Sequence, residues 1–117
     1  MRERPPKVPG DELPGRTRNE GAPDIEKEAR YQRREGGARA EHRWRGAVDR
    51  FLIQLEDDPH RYAQAEEADD LQRDLRELII GKKRGTAHRV VFTIRGDLVV
   101  VHRIRQAAQD RLTEDDL

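Results

Sequence analysis

The sequence predicts an α+β domain in which a helical hairpin packs on a three-stranded antiparallel sheet. Three observations predict this class. An apolar stripe of helical period runs through the first half of the chain, a Gly-Gly pair divides it, and β-branched runs fill residues 89–104. Helices and sheets of this kind bury their apolar faces against each other. The chain has 117 residues, so one domain is expected.

The first 23 residues differ in composition from the rest. They contain five of the six prolines, and Val8 and Leu13 are their main apolar residues. Such a segment buries too little apolar surface to offset the entropy of ordering it. Lys7-Val8-Pro9 is too short for a strand, and proline removes a backbone donor. We therefore expect residues 1–23 to form a disordered tail.

Two helices are predicted next. The first begins at Pro23, with Asp24 as its N-cap, and ends at Gly36-Gly37, because glycine readily adopts the conformation that terminates helices. The second runs over about residues 38–56 and ends before Pro59. Its apolar stripe consists of Trp44, Val48, Phe51, Leu52 and Leu55. The short glycine link makes the two helices antiparallel neighbours.

The sequence of the second half of the chain predicts the three strands of the sheet. Its three strands are residues 75–80, 89–94 and 98–104, rich in valine and isoleucine. If Ile94 pairs with Val99 across the turn, Phe92 faces Val101 on one side of the sheet. The helices should cover that side, and the other side should display Arg89 and its neighbours.

Composition excludes several classes of function. Charged residues make up 41% of the chain and apolar residues 33%, and neither cysteine nor serine occurs. Disulfides, thiolate metal sites and serine triads are therefore excluded. No apolar run approaches the roughly 20 residues that cross a bilayer, and the first residues lack the apolar core of a secretory signal. A cytoplasmic protein without membrane contact is expected.

The zero net charge conceals a strong segregation. Residues 56–74 carry −6, residues 75–105 carry +6 and residues 106–117 carry −3. The informative basic residues are Lys82, Lys83, Arg84, Arg89, Arg95, Arg103 and Arg105. They could bind a polyanion or an acidic partner, or they could pair with the acidic segment 66–74 within the fold.

The four histidines show no metal-binding spacing. The predicted register places His88 opposite Arg105 rather than near His102. Neither a metal nor any other cofactor is expected.

The order of these elements resembles a known family. Leu-Arg-Glu-Leu-Ile-Ile-Gly at 75–81, His-Arg-Val-Val-Phe-Thr-Ile at 88–94 and Asp-Leu-Val-Val-Val-His-Arg-Ile-Arg at 97–105 resemble the C-terminal half of the RelE/ParE toxin superfamily. Arg43-Trp44 and the proline stop after residues 55–58 are similar to its second helix. The resemblance covers about residues 24–112 and leaves residues 113–117 as an acidic C-terminal end. The family's usual first strand is not predicted in residues 1–23.

The resemblance implies the toxin of a type II toxin–antitoxin system, of the plasmid stabilisation type. Such a toxin arrests growth and is neutralised by a cognate antitoxin encoded by an adjacent gene. Its target would be DNA gyrase or ribosome-bound mRNA, with no small-molecule cofactor. A truncated, inactive toxin that only binds its antitoxin is a third possibility, because the sequence predicts no first strand.

The resemblance also suggests site residues for each target. A metal-independent mRNA endonuclease would use Arg89, Lys82, Lys83 and Arg103 as catalytic groups. Target binding would involve Arg84, Arg89, Arg103 and Arg105. The mRNA-cleaving branch carries a C-terminal tyrosine, whereas this chain has none after Tyr62. Gyrase inhibition of the ParE type is therefore favoured.

Overall fold

The computed structural model describes residues 17–81, 87–107 and 111–117. Within them, a helical hairpin lies on a four-stranded mixed sheet of order β1-β4-β3-β2. The elements are β1 (Thr17–Asn19), α1 (Ala22–Asp57), α2 (Glu67–Leu71), β2 (Arg76–Ile80), β3 (His88–Arg95) and β4 (Leu98–Gln106), with single 3-10 turns at Pro59–Arg61 and Glu114–Asp116. The predicted α+β class is confirmed, with one strand more than predicted.

The additional strand, β1, corrects the prediction for the N-terminal region. It pairs in parallel with β4, with Arg18 opposite Val100. The prediction of a tail over residues 1–23 is therefore wrong for residues 17–23, and the first strand is not missing. The strand Thr-Arg-Asn has no apolar alternation that would predict it, and it forms by pairing with the edge of β4. Residues 1–16 lie outside the described part of the chain.

The predicted break in the helical region is confirmed. Gly37 has φ +79° and ψ −172° and divides α1 into an N-terminal arm, residues 22–36, and a C-terminal arm, residues 38–57. The arms run antiparallel: Arg33 contacts Glu41 near the break, and Arg45 contacts Glu26 further from it on both arms. Trp44 Nε1 also donates a hydrogen bond to Ile25 O at 3.0 Å. A glycine is required at this break, since residues with a side chain rarely adopt this backbone conformation.

The hairpin and the sheet enclose the main core. It contains Ile25, Ala29, Trp44, Val48, Phe51, Leu55, Leu78, Val90, Phe92, Val99, Val101 and Ile104. The opposite face of the sheet carries a smaller apolar cluster of Ala65, Ala68, Leu75, Val91 and Leu112. The predicted stripe of the second helix therefore faces the sheet as expected.

A bulge interrupts the hairpin of β3 and β4. Near the turn the predicted register is confirmed, with Phe92 opposite Val101. One extra residue, His102, then enters β4, so that Val91 lies opposite Arg103. Such an insertion shifts every later pair by one residue.

The bulge decides which side chains of β4 enter the main core. It turns Ile104 to the helix-covered face and places Arg105 opposite Arg89. His88 lies opposite Gln106, so its predicted pairing with Arg105 is wrong. Without the shift, an arginine would occupy the apolar position that Ile104 fills.

Candidate functional site

Three arginines on neighbouring strands form the arginine cluster, which consists of Arg89 on β3 and of Arg103 and Arg105 on β4. Arg89 lies directly opposite Arg105, and Arg103 lies opposite Val91. Opposite residues of an antiparallel pair share a face of the sheet. The cluster therefore contains all the predicted site residues that the structure describes, since Lys82, Lys83 and Arg84 lie outside the described ranges.

Arg89 is enclosed by carboxylates. Its Nη1 and Nη2 donate to Glu67 Oε2 and Oε1 at 2.8 and 2.7 Å, and Nη2 also donates to Glu77 Oε1 at 2.9 Å. Arg89 is only 7% exposed. The prediction that the open face of the sheet displays Arg89 is therefore wrong. The other interpretation, pairing with the acidic segment 66–74, holds for this arginine.

Glu67 is the buried partner that organises this part of the site. It lies on α2, is 1% exposed, and also accepts a hydrogen bond from Leu112 N at 2.9 Å. The hydrogen bonds from Arg89 lower the pKa of Glu67 to about 2, although burial opposes the shift. The same bonds raise the pKa of Arg89. The pair is therefore fully ionised at neutral pH.

Arg103 joins the sheet to the start of the hairpin. Its Nε donates to Asp24 Oδ2 at 2.8 Å, and Ile104 N donates to the same oxygen at 2.9 Å. Asp24 is thus not the predicted N-cap, and α1 begins after Gly21 instead. The hydrogen bond to Asp24 raises the pKa of Arg103.

The C-terminal carboxylates lie on the arginine cluster. Asp116 Oδ1 accepts from Arg105 Nη2 at 2.6 Å and from Arg103 Nη1 at 3.2 Å. Its other oxygen accepts from Thr113 N at 2.8 Å, and this backbone bond is the main reason why the pKa of Asp116 is lowered. Leu112 anchors the segment in the smaller apolar cluster. The arginine cluster therefore already binds carboxylates of its own chain, and Asp116 is the one that two of its arginines share.

Sequence reasoning missed both Glu67 and Asp116 as parts of this site. Glu67 lies among several acidic residues that look equivalent in the sequence. The available signal was the charge pattern, in which a block at −3 follows one at +6. That pattern favours contact between the blocks but does not identify the contacting side chains.

Neither a metal site nor a membrane-spanning helix is present in the described ranges. Residues 17–81, 87–107 and 111–117 contain no group of three or more acidic, histidine or cysteine side chains that could hold a metal ion. Within the same ranges, no helix combines the length and apolarity needed to cross a membrane.

A long, kinked helix packed on an open four-stranded mixed sheet is consistent with a RelE/ParE-like fold. The model of one family, described as the ParE toxin of type II toxin-antitoxin system, parDE, matches residues 20–111. That region is well over half of the chain, and the protein belongs to this family. The resemblance predicted from the sequence is thereby confirmed, and an antitoxin is the partner that the family implies. The comparisons with curated proteins and with solved structures returned no match.

Proposed function

We propose that this toxin arrests growth in the cytoplasm by binding and inhibiting DNA gyrase, and that an antitoxin encoded by an adjacent gene neutralises it. The observation that carries the proposal is the enclosure of Arg89 between Glu67 and Glu77. The toxin domain comprises residues 24–112 together with β1, and the acidic end, residues 113–117, lies on it.

The enclosure of Arg89 argues against RNA cleavage. Cleavage of a phosphodiester without a metal needs cationic groups that reach the charge developing in the transition state. The Arg89 guanidinium donates to two carboxylates and is almost fully buried. Freeing it would leave Glu67 as an unpaired buried charge, which is strongly unfavourable. Inhibition by binding makes no such demand on Arg89.

Arg103 and Arg105 are the described members of the proposed target-binding surface. Their side chains are 30% and 20% exposed, and both already bind the Asp116 carboxylate. Guanidinium groups so placed suit the carboxylates of an acidic protein surface. Arg84, which lies outside the described ranges, remains a predicted member of this surface. Arg89 supports it by fixing α2 and Leu112 on the sheet.

A supercoiling assay with purified gyrase tests the proposal. We expect a dose-dependent loss of supercoiling and a several-fold weaker effect of the Arg105→Gln variant. The Arg39→Gln variant is the control, because it removes the same charge from an exposed position on α1. Unchanged supercoiling at excess toxin, with mRNA cleavage in a translation reaction, would contradict gyrase as the target.

Controlled expression in a bacterial host tests the consequence in cells. Growth arrest with filamentation and a DNA-damage response is the expected result. Arrest without filamentation and with rapid loss of translation would indicate mRNA cleavage. Normal growth with soluble protein accumulating would indicate an inactive toxin.

A further inference from the structure

A second feature of the molecule is a groove between the N-terminal arm of α1 and the end of β4. Its volume is about 490 Å³. Sites for small organic ligands usually measure roughly 300–1,000 Å³. This groove is lined by Lys27, Arg30, Tyr31 and Arg34 on the helix and by His88 and Arg105 on the sheet, together with Asp24, Glu28, Arg103, Ile104 and Gln106.

His88 is a buried residue of the groove with an unsatisfied polar atom. It is 6% exposed and its ring lies 4.7 Å from that of Trp44. Its Nε2 has no hydrogen-bond partner. Glu28 Oε2 lies 3.4 Å away, which is long for a hydrogen bond, and the same oxygen accepts a shorter one from Gln32 Nε2 at 2.7 Å. Buried polar atoms are nearly always paired, so Nε2 is suited to an oxygen of a bound ligand.

The helix wall of the groove is strongly basic. Lys27, Arg30 and Arg34 recur at spacings of three and four residues, which places them on one face of the arm. Two carboxylates also line the groove: Asp24 is held by Arg103, and Glu28 accepts a hydrogen bond from Gln32. The contact of Arg34 with Glu35, at 3.8 Å between exposed side chains, contributes little. The groove therefore has an excess of positive charge that suits a phosphate.

Tyr31 adds a planar surface beside these cations. It is 42% exposed, and the guanidinium carbon of Arg34 lies 5.7 Å from the centre of its ring. Tyrosine rings and arginine planes are the surfaces on which proteins stack unpaired bases. A carboxylate ligand would use the cations but would leave this surface without a function.

We propose that the groove binds a nucleotide unit, meaning a phosphate joined to a planar base. The phosphate lies on Lys27, Arg30 and Arg34, the base lies against Tyr31, and His88 Nε2 donates to a ligand oxygen. The unit is supplied either by a free nucleotide or by a single-stranded nucleic acid. This inference does not depend on gyrase being the target.

Ligand binding to the groove can be measured by tryptophan fluorescence. Trp44 is the single tryptophan and contacts His88, so its fluorescence reports on the floor of the groove. Titrations at low salt use adenosine 5′-monophosphate, a short oligodeoxyadenylate and inorganic phosphate. Stacking makes adenosine monophosphate bind about tenfold more tightly than phosphate. A comparable affinity for the oligonucleotide indicates a free nucleotide, and a much higher one indicates a strand.

Two double variants distinguish binding at a specific site from a general attraction between the ligand and positive charge. The Arg30→Gln/Arg34→Gln variant removes two groove cations and should bind about tenfold more weakly or worse. The Arg39→Gln/Arg43→Gln variant removes two equally spaced, exposed arginines that do not line the groove, and it should bind within about twofold of the wild type. The Tyr31→Leu variant should weaken adenosine monophosphate binding and leave phosphate binding unchanged.

Three results would overturn the inference. The first is an equal loss of affinity in both arginine variants. The second is equal affinity for phosphate and adenosine monophosphate. The third is a Trp44 response to polyglutamate but not to adenosine monophosphate, which would assign the groove to an acidic peptide. Because gyrase is absent from these titrations, their outcome is independent of the supercoiling assay.

Discussion

The two faces of the sheet are stabilised by different interactions, although they are built from alternating residues of the same strands. Val90 and Phe92 point into the apolar core beneath α1, whereas Val91 packs in the smaller cluster on the other face. On that other face, Arg89 binds the buried carboxylate of Glu67. One face is stabilised by the large apolar core, and the other combines a smaller apolar cluster with a buried ion pair.

The two faces constrain the positions of the elements that pack on them to different degrees. Apolar contacts are non-directional and tolerate small shifts, so the hairpin is placed by shape and area. The ion pair requires a defined geometry, because either charge alone would be unpaired in a buried site. Glu67 also binds Leu112 N. The charged face therefore determines where α2 and the C-terminal segment lie.

The largest expected effect comes from breaking the ion pair on one side. Glu67→Gln leaves Arg89 partly unpaired and should lower the free energy of unfolding by about 3–5 kcal/mol. Urea denaturation at pH 7 measures this loss. Glu77→Gln is the matched control, because Glu77 is more exposed and should cost about 1 kcal/mol or less. Equal losses in the two variants would contradict the central role given to Glu67.

Truncating a buried side chain on the apolar face should cause a loss of stability of similar size but different origin. Leu55 is fully buried, and Leu55→Ala should lower the free energy of unfolding by about 2–5 kcal/mol through lost burial and a cavity. Ile53 on the same arm is 65% exposed, so Ile53→Ala should change stability by about 0.5 kcal/mol or less. A substantial loss in Ile53→Ala would show that Ile53 is buried in solution.

Acid should reduce the contribution of the charged face to stability and leave that of the apolar face unchanged. The pKa of Glu67 falls from its ordinary value of 4.5 to about 2 on folding, mainly through Arg89. The unfolded chain therefore binds more protons in this range, and a contribution on the order of 3 kcal/mol, complete above pH 4.5, is lost as the pH falls towards 2.

The measurement is the stability difference between wild type and Glu67→Gln from pH 7 to 2. This difference should shrink below pH 4.5, whereas the difference between wild type and Leu55→Ala should stay constant. Burial also lowers the pKa of His102, which destabilises the wild type and both variants alike in acid. A Glu67→Gln difference independent of pH would refute the ionised pair.

The smallest predicted effect concerns the closure of the hairpin over the apolar face. Gly37→Ala places a side chain at φ +79° and should cost about 1–3 kcal/mol. Gly46 lies within the helical C-terminal arm with no crowding backbone, so Gly46→Ala should raise stability by up to about 1 kcal/mol. Thermal melting measures the stability of both variants. A change in melting temperature of the same sign in both would contradict the backbone conformation described at Gly37.

Most of the apolar face could be predicted from the sequence. The stripe from Trp44 to Leu55, the break at the glycine pair and the register of Phe92 with Val101 all follow from local periodicity and turn geometry. These signals lie within one element or between neighbours in the chain, so they do not depend on distant partners.

The charged face, the first strand and the bulge depend on contacts between residues that are distant in the sequence. Arg89 is buried because Glu67, 22 residues away, reaches it, and Asp116 is bound because Arg103 and Arg105 lie beneath the C-terminal segment. β1 exists because β4 offers it a free edge. Charge pairing and strand pairing depend on which groups meet in space, and several acidic residues were equivalent candidates in the sequence. The sequence alone determined the apolar frame, and the fold determined which charges it encloses.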